Sequence, residues 1–340
     1  MRDKILIISN ESISKKNDNY YCDNLDIKSI PKDLTKRGDV ILIGRLSKDE
    51  RYHKIEKSYV YPAPNFFSFI KQVYLEIKKN KNLKILIISI TPFTFLASLI
   101  VFTFKNKPFV YLRSDGFEEY KSIFGLLGPI IYQVMFSIIA KTSKLISCRK
   151  HILKSNDGKI VSPSHLTEKW FENTKPVSIN KVDLLYVGRI KVEKGIFSFL
   201  KIFEDIENKF SLTIVSPQKM HKDVKNRNNI KLIDSRNEDD LIKIYDQSNI
   251  FILPSYTEGH PQVLDEALAR LRPVIVFEEI SHVKRDRSGV FICKRNKASL
   301  IEKINYILKN YETIQNEIKK NINNLPTRIK FIKELENIIF

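Results

Sequence analysis

A chain of 340 residues exceeds what one hydrophobic core usually organises, and its 43% hydrophobic and 11% aromatic content is enough to build two. Its formal net charge of +19 selects anionic partners, whether nucleic acid, a phosphorylated small molecule or an acidic lipid surface. The cysteines, Cys22, Cys148 and Cys293, are widely separated without C-x-x-C spacing, which argues against a disulfide framework or zinc knuckle and for a reducing, cytoplasmic compartment.

The opening MRDKILIISN is too soon interrupted by polar residues for a signal peptide and reads as a buried strand. Short apolar runs then recur: KILIIS, DVILIG, KSYVY, LKILIISI, PFVYLR, KLIS and KIVS, with helical patterns such as 66–78 and 123–140 between several of them. That alternation predicts a parallel sheet with helices on both faces. Residues 85–104 and 122–140 lack charged side chains and could each span a bilayer by length. Pro92 divides the first into strand, turn and helix, and Gly125, Gly128, Pro129 and Gln133 interrupt the second, so both read as core elements, with two spans as the alternative.

A second series follows: DLLYVG, SLTIV, IKLI, IFILP, PVIVF and VFI. Two series predict two Rossmann-like domains, 1–165 and 182–326, joined by a polar linker at 166–181 that carries Trp170. Helices at 298–323 and 327–339 close the chain, split by Leu325-Pro326, and the last is expected to pack back on the first domain.

The site chemistry lies in the second series. After DLLYVG come Gly188, Arg189 and IKVEK, then Gly195, and Ile196, Phe199, Leu200 and Phe203 repeat with helical spacing. Arg189 and Lys194 thus sit on a strand-to-helix loop beside a helix N-terminus, a setting that suits a diphosphate. Two solvated basic residues fit the same loop. The run YTEGHPQVLDEALARLRPVIV repeats the arrangement, with Pro261 as the first helical residue and Gln262 and Glu266 sharing a helix face. Glu258 on the loop and Glu266 on the helix could accept hydrogen bonds from sugar and ribose hydroxyls, with the backbone N–H groups of Gly259 to Val263 facing a phosphate between them. Two solvated glutamates are again the alternative. His260 reads as an exposed loop histidine that could reach a donor.

Taken together, YVGRIKVEKGIFSFLKIF and LPSYTEGHPQVLDEALARLRPVIV resemble the nucleotide-binding half of glycosyltransferase family 4, the retaining GT-B glycosyltransferases of glycosyl transferases group 1. The resemblance implies an α/β fold of two Rossmann-like domains whose parallel sheets face across a cleft. It implies a donor site at Gly188, Arg189, Lys194, Glu258, Gly259, His260, Pro261, Gln262, Val263 and Glu266. Arg189 and Lys194 would bind the diphosphate of a nucleotide sugar, Glu258 the transferred sugar and Glu266 the ribose. Departures are Ser9-Asn10-Glu11-Ser12 in place of a Gly-rich turn and Val215-Ser216-Pro217-Gln218 in place of the second family loop, while Arg270-Leu271-Arg272-Pro273 reads as variation at a helix C-terminus, where arginines suit the dipole.

The implied reaction is retaining sugar transfer to a glycan or lipid-linked acceptor, in surface polysaccharide, lipopolysaccharide or glycolipid biosynthesis. No cofactor is expected, and the absence of Asp-x-Asp leads to the expectation of no metal. Asp115, at the end of PFVYLRSD, is a candidate acceptor contact or base, with a simple Asp-Gly turn as the alternative. The uncharged FGLLGPIIYQVMFSIIA, bordered by lysines, leads to the expectation of peripheral contact with an anionic membrane, on the inner face of the cytoplasmic membrane. A non-catalytic nucleotide-sugar binder of the same fold is the main rival. A nucleic-acid partner is disfavoured because lysines are spread through every helix, and an NAD enzyme because no strand is followed by G-x-G-x-x-G.

Overall fold

The computed structural model describes residues 3–56, 58–80, 82–174, 182–204, 206, 209–216, 229–234 and 237–340. The chain divides into two units, Met1–Pro163 with Ile329–Phe340, and Ser164–Arg328.

In chain order the first unit holds β1 (Asp3–Lys16), β2 (Asn19–Cys22), α1 (Leu25–Leu34), β3 (Gly38–Leu46), β4 (His53–Lys54), β5 (Tyr59–Ala63), α2 (Phe66–Lys79), β6 (Leu83–Ile88) and α3 (Pro92–Thr103). It continues through β7 (Phe109–Leu112), α4 (Gly116–Phe124), α5 (Gly128–Thr142), β8 (Lys144–Ser147) and β9 (Gly158–Ile160). The parallel strands run in the order β5-β3-β1-β6-β7-β8-β9. Side chains alternate across a strand, so Leu6 and Ile8 of β1 join a core with Phe69, Val73, Ala97 and Phe136, while Ile5 and Ile7 join another with Ile27, Ile30, Phe331 and Leu335. Both faces are covered, which is why these strands read as continuous apolar runs.

The second unit holds β10 (Asp183–Val187), α6 (Ile196–Glu204), β11 (Ser211–Val215), β12 (Ile230–Ile233), α7 (Glu238–Gln247), β13 (Ile250–Leu253), α8 (Gln262–Ala269), β14 (Val274–Phe277), β15 (Val290–Cys293), α9 (Lys297–Lys309) and α10 (Tyr311–Asn321). Its sheet is parallel in the order β12-β11-β10-β13-β14-β15, a doubly wound order. The final helix, α11 (Arg328–Ile339), returns to the first unit, where Phe331, Ile332, Leu335 and Ile339 are buried.

Several expectations change. Ser9-Asn10-Glu11-Ser12 is not a loop: β1 continues to Lys16 through a register shift between Ile8 and Ser12, and its end pairs with the antiparallel β2. Of the stretch read as a linker, residues 166–174 fold with the second unit, where Trp170 is buried against Tyr245, and residues 175–181 lie outside the described residues. So do Pro217 and Gln218 of the second family loop. Arg270 is the C-cap of α8, at the helix C-terminus as expected, but both Arg270 and Arg272 are buried. Arg270 makes a paired contact with Asp246, both hydrogen bonds at 2.8 Å, and donates to the carbonyls of Trp170, Glu172 and Asn173. Arg272 donates to the carbonyls of Tyr245 and Asp246, and burial pushes its guanidinium pKa down. Leu271 between them takes a left-handed φ of 58°, turning the chain so that both arginines enter the interior.

Candidate functional site

Strand order fixes where the second unit can hold a ligand. From β10 the chain crosses through α6 to β11 on one side, and from β13 through α8 to β14 on the other. The loops leaving β10 and β13 therefore part at a topological switch point, where open α/β sheets form a crevice. These are the loops that carry Arg189, Lys194 and Glu258.

The two loops are tied together. Tyr256 N–H donates to Glu193 O at 3.0 Å. Lys194 Nζ donates to Glu258 Oε1 at 2.7 Å, and Ser255 Oγ donates to the same oxygen at 2.6 Å. Gly195 makes the approach feasible: its φ is +64°, and a Cβ there would stand 1.8 Å from Pro254 O. On the first loop, buried Tyr186 donates its hydroxyl to Arg189 O at 2.7 Å, fixing the turn, and Gly188 N–H reaches Val215 O at 3.0 Å. The Arg189 side chain is exposed and has no hydrogen bond or ion pair among the described residues. One cation of the pair is thus held against a carboxylate and the other is free to meet an anion.

The α8 end is built from the inside. Pro261 is the N-cap, one position earlier in the helix than expected, and no side chain caps that end. Gln262 Oε1 accepts from His165 N–H at 3.2 Å, so the face shared with Glu266 is partly occupied by the protein itself. His260, expected to be exposed, is buried: its side chain is 5% exposed, with Nε2 3.2 Å from Asp265 Oδ2 but poorly aligned for a hydrogen bond. Asp265 is fully buried and gripped by Arg287, at 2.8 Å and 3.2 Å. Val263 is half-buried and packs on the core, and its carbonyl accepts from Tyr245 Oη at 3.2 Å.

Glu266 is buried, and Tyr245 Oη donates to its Oε2 at 2.9 Å. Burial pushes its pKa up to about 7, against the lowering effect of that hydrogen bond. The sign of the linkage follows. Between pH 4.5 and about 7 the folded chain retains a proton that the unfolded chain releases, so stability falls as pH rises through this window. Glu266→Gln is expected to flatten the fall when denaturant midpoints are measured from pH 4.5 to 8; a profile parallel to the native one would contradict the burial of this charge.

Sequence reasoning missed Arg295, eight elements downstream of Lys194 in the chain. It stacks on the rings of Tyr256 and Phe277, with 4.2 Å and 4.3 Å to their centroids. It donates to Pro254 O at 2.9 Å, to Ser198 Oγ at 2.9 Å and to Glu279 at 2.6 Å, so it clamps the β13 loop to the start of α6. His282 adds a contact at 3.0 Å to Glu258 O. No local signal marks either residue, since each acts through partners remote in sequence.

Asp115 lies in the first unit. It caps α4, accepting from Phe117 N–H at 3.0 Å, and its other oxygen meets Lys154 Nζ at 3.2 Å. Gly116 is already helical, so Asp115 is a helix cap rather than part of an Asp-Gly turn, with both carboxylate oxygens engaged. Arg113 pairs with Asp26 at 3.5 Å, and nearby Glu11, another residue missed, has its pKa raised by burial against the lowering effect of Arg113. Among the described residues no cluster of three or more His, Cys, Asp or Glu side chains is arranged to hold a metal ion.

Comparison with known proteins agrees with this architecture. Residues 169–324 match the family described as glycosyl transferases group 1. The chain is 27% identical over 168 residues to the capsular polysaccharide biosynthesis glycosyltransferase CapM of Staphylococcus aureus, a match covering 45% of this chain and 44% of that protein. The matches to curated relatives thus span about half their length or less. Among solved structures it is similar to WaaG, a glycosyltransferase involved in lipopolysaccharide biosynthesis, at 14% identity and a TM-score of 0.72 over 98% of this chain and 99% of that one. It is also similar to Anabaena Alr3699/HepE in complex with UDP-glucose, at 13% identity and a TM-score of 0.72 over 98% of each chain. At such identities the structural likeness is one of fold. Over residues 169–324 the chain is thus similar to the glycosyl transferases group 1 family, and the chain has the GT-B fold.

Proposed function

We propose that the protein is a retaining glycosyltransferase of the family 4 type, moving a sugar from a nucleoside-diphosphate sugar to a glycan or lipid-linked acceptor in surface polysaccharide or glycolipid biosynthesis. The observation that carries the reading is the convergence of Arg189, Lys194 and Glu258 on two joined loops at the switch point of the second sheet, with the α8 N-terminus and Glu266 following directly in the chain. The UDP-glucose complex of a protein with this fold and the role of CapM in capsular polysaccharide biosynthesis favour the same donor class and pathway type. The three free, buried cysteines fit a reducing, cytoplasmic compartment.

The chemistry follows from the groups present. Arg189 and Lys194 meet the diphosphate and take up the charge that develops as its bond to the anomeric carbon breaks. The acceptor oxygen bonds to that carbon on the face the diphosphate leaves, and the acceptor proton passes to the departing phosphate oxygen. Glu258 contacts the transferred sugar once the diphosphate competes for Lys194. Glu266 accepts from the ribose hydroxyls, a hydrogen-bonded role its carboxylate fills best when ionised. Protein cations stand where a metal would otherwise neutralise the diphosphate.

The test is a panel of nucleotide sugars in a thermal-shift assay, followed by turnover of those that bind, in EDTA. We expect stabilisation by one nucleotide class and release of its nucleoside diphosphate with the chelator present. Binding without turnover would identify a non-catalytic binder, and activity lost in EDTA and restored by Mg²⁺ or Mn²⁺ would contradict the metal-free site.

A further inference from the structure

The helix pair of the first unit breaks the usual rule for surface helices. In α5, Tyr132, Met135, Phe136 and Ile139 repeat at helical spacing and are buried in the core. The opposite face should then be polar. Instead it carries Ile130, Val134 and Ile138, all exposed, continuing from Leu126 and Leu127 at the turn between α4 and α5, where Leu126 is 86% exposed. Leaving this apolar area in water is costly, and contiguous patches of this kind mark interaction sites.

The charge around the patch selects the partner. Residues 120–156 contain six Lys or Arg and no Asp or Glu, and exposed Lys121 and Lys141 bracket the uncharged run between them. Of the nearest acids, Asp115 is paired with Lys154, Glu119 accepts from Ser114, and Glu118 is exposed in the first turn of α4, at the far end of that helix from Leu126 and Leu127. An apolar ridge between cations fits an anionic lipid surface, which offers hydrocarbon beneath a negatively charged headgroup layer.

The geometry also says how deep the contact goes. The run 116–142 is long and apolar enough to cross a bilayer by composition, but it is not one helix: Gly125, at φ +61°, separates α4 from α5. The 15 residues of α5 reach only about 22 Å at 1.5 Å per residue, short of the roughly 30 Å hydrocarbon core. The two helices are locked to each other, with the Tyr120 and Tyr132 rings 5.2 Å apart and Phe117 edge-on to Tyr132 at 4.8 Å, and α5 is held to its own domain by Met135, Phe136 and Ile139 in the core.

We propose that the α4–α5 hairpin is a membrane-docking face that inserts Leu126, Leu127, Ile130 and Val134 into the headgroup boundary of an anionic bilayer while its lysines contact the headgroups. Docking would bring the chain to a lipid-linked acceptor; that last clause rests on the function proposed above, whereas the docking itself does not.

The full chain is mixed with vesicles of phosphatidylglycerol and phosphatidylcholine, or of phosphatidylcholine alone, and sedimented at low and high salt. We expect binding to the anionic vesicles that weakens as salt rises and little binding to the neutral ones. The combined variant Leu126→Ser, Ile130→Ser, Val134→Ser changes exposed side chains and should fold, with an unchanged melting temperature and unchanged nucleotide-sugar binding, yet lose about tenfold or more in vesicle affinity. Native protein that ignores anionic vesicles would overturn the proposal, as would a variant that binds as the native does. Self-association abolished by the same substitutions, without vesicle binding, would assign the face to a second copy of the chain. Binding that survives high salt and alkaline carbonate would mean a spanning segment instead. Nucleotide-sugar turnover is measured separately without lipid, so failure of the donor-site reading and failure of docking are distinguishable.

Discussion

Arg189→Ala and Lys194→Ala are each expected to lower turnover by about 10²- to 10³-fold, the usual cost of removing one group that stabilises a developing charge in a preorganised site. The two should differ in stability, and the difference is diagnostic. Arg189 is exposed and its side chain has no partner among the described residues, so its loss should leave the unfolding midpoint within about 0.5 kcal/mol of native. Lys194 holds Glu258 at 2.7 Å, with the carboxylate side chain 9% exposed, so Lys194→Ala leaves a nearly buried charge and should destabilise as well as inactivate. Steady-state kinetics with the donor identified by the panel, alongside denaturant titration, checks both. Near-native turnover in both variants would remove these residues from the site.

Arg270→Met should be the most destabilising of the substitutions considered, by about 3–5 kcal/mol. The guanidinium is 1% exposed and satisfies Asp246 through two hydrogen bonds together with the carbonyls of Trp170, Glu172 and Asn173. Methionine fills the volume but removes both guanidinium hydrogen bonds from a carboxylate that is 9% exposed, leaving it only the more distant Arg272 Nη2 at 3.6 Å. The chain has a single tryptophan, Trp170, and it belongs to this network, so its fluorescence in a denaturant series reports the unfolding of the second unit directly. A loss below about 1 kcal/mol would show that the buried pair is not holding the 164–174 segment to the end of α8.

The strands were legible because both faces of each sheet are covered, so every parallel strand appears as an uninterrupted apolar run bounded by polar residues. The amphipathic helices α2 and α6 were legible for the related reason that one face is buried, as with Ile196, Phe199, Leu200 and Phe203. What escaped lacks those patterns. Helix α1 contains Pro31, whose presence argues against a helix interior until Asn24 is seen capping the other end. The pairing of β2 and β4 with the end of β1 rests on too few residues for a periodicity. The helix expected over 298–323 breaks at Asn310, which serves as both the C-cap of α9 and the N-cap of α10.

The site divided along the same line. Its loops were legible as local motifs, the charged residues between a strand and a helix, and the structure brings Lys194 and Glu258 together across 64 positions of chain. The burial of His260, Arg270 and Arg272 was not legible, because whether a charged or polar side chain is inside depends on partners supplied by other elements. For Arg270 these lie 24 to 100 positions away. Arg295 was missed for the same reason. Its value comes from Tyr256, Pro254 and Ser198, none of them its sequence neighbours.

The central claim, that a nucleotide sugar is bound at the switch point of the second sheet with its two ends held by different carboxylates, is tested most directly by calorimetric titration of native chain, Glu258→Ala and Glu266→Ala with the nucleotide sugar and with its free nucleoside diphosphate. Glu266→Ala is predicted to lose affinity for both ligands, and Glu258→Ala to lose affinity for the nucleotide sugar while binding the free nucleoside diphosphate close to the native level. Equal losses for the free nucleoside diphosphate in the two variants, or native affinities in both, would contradict it.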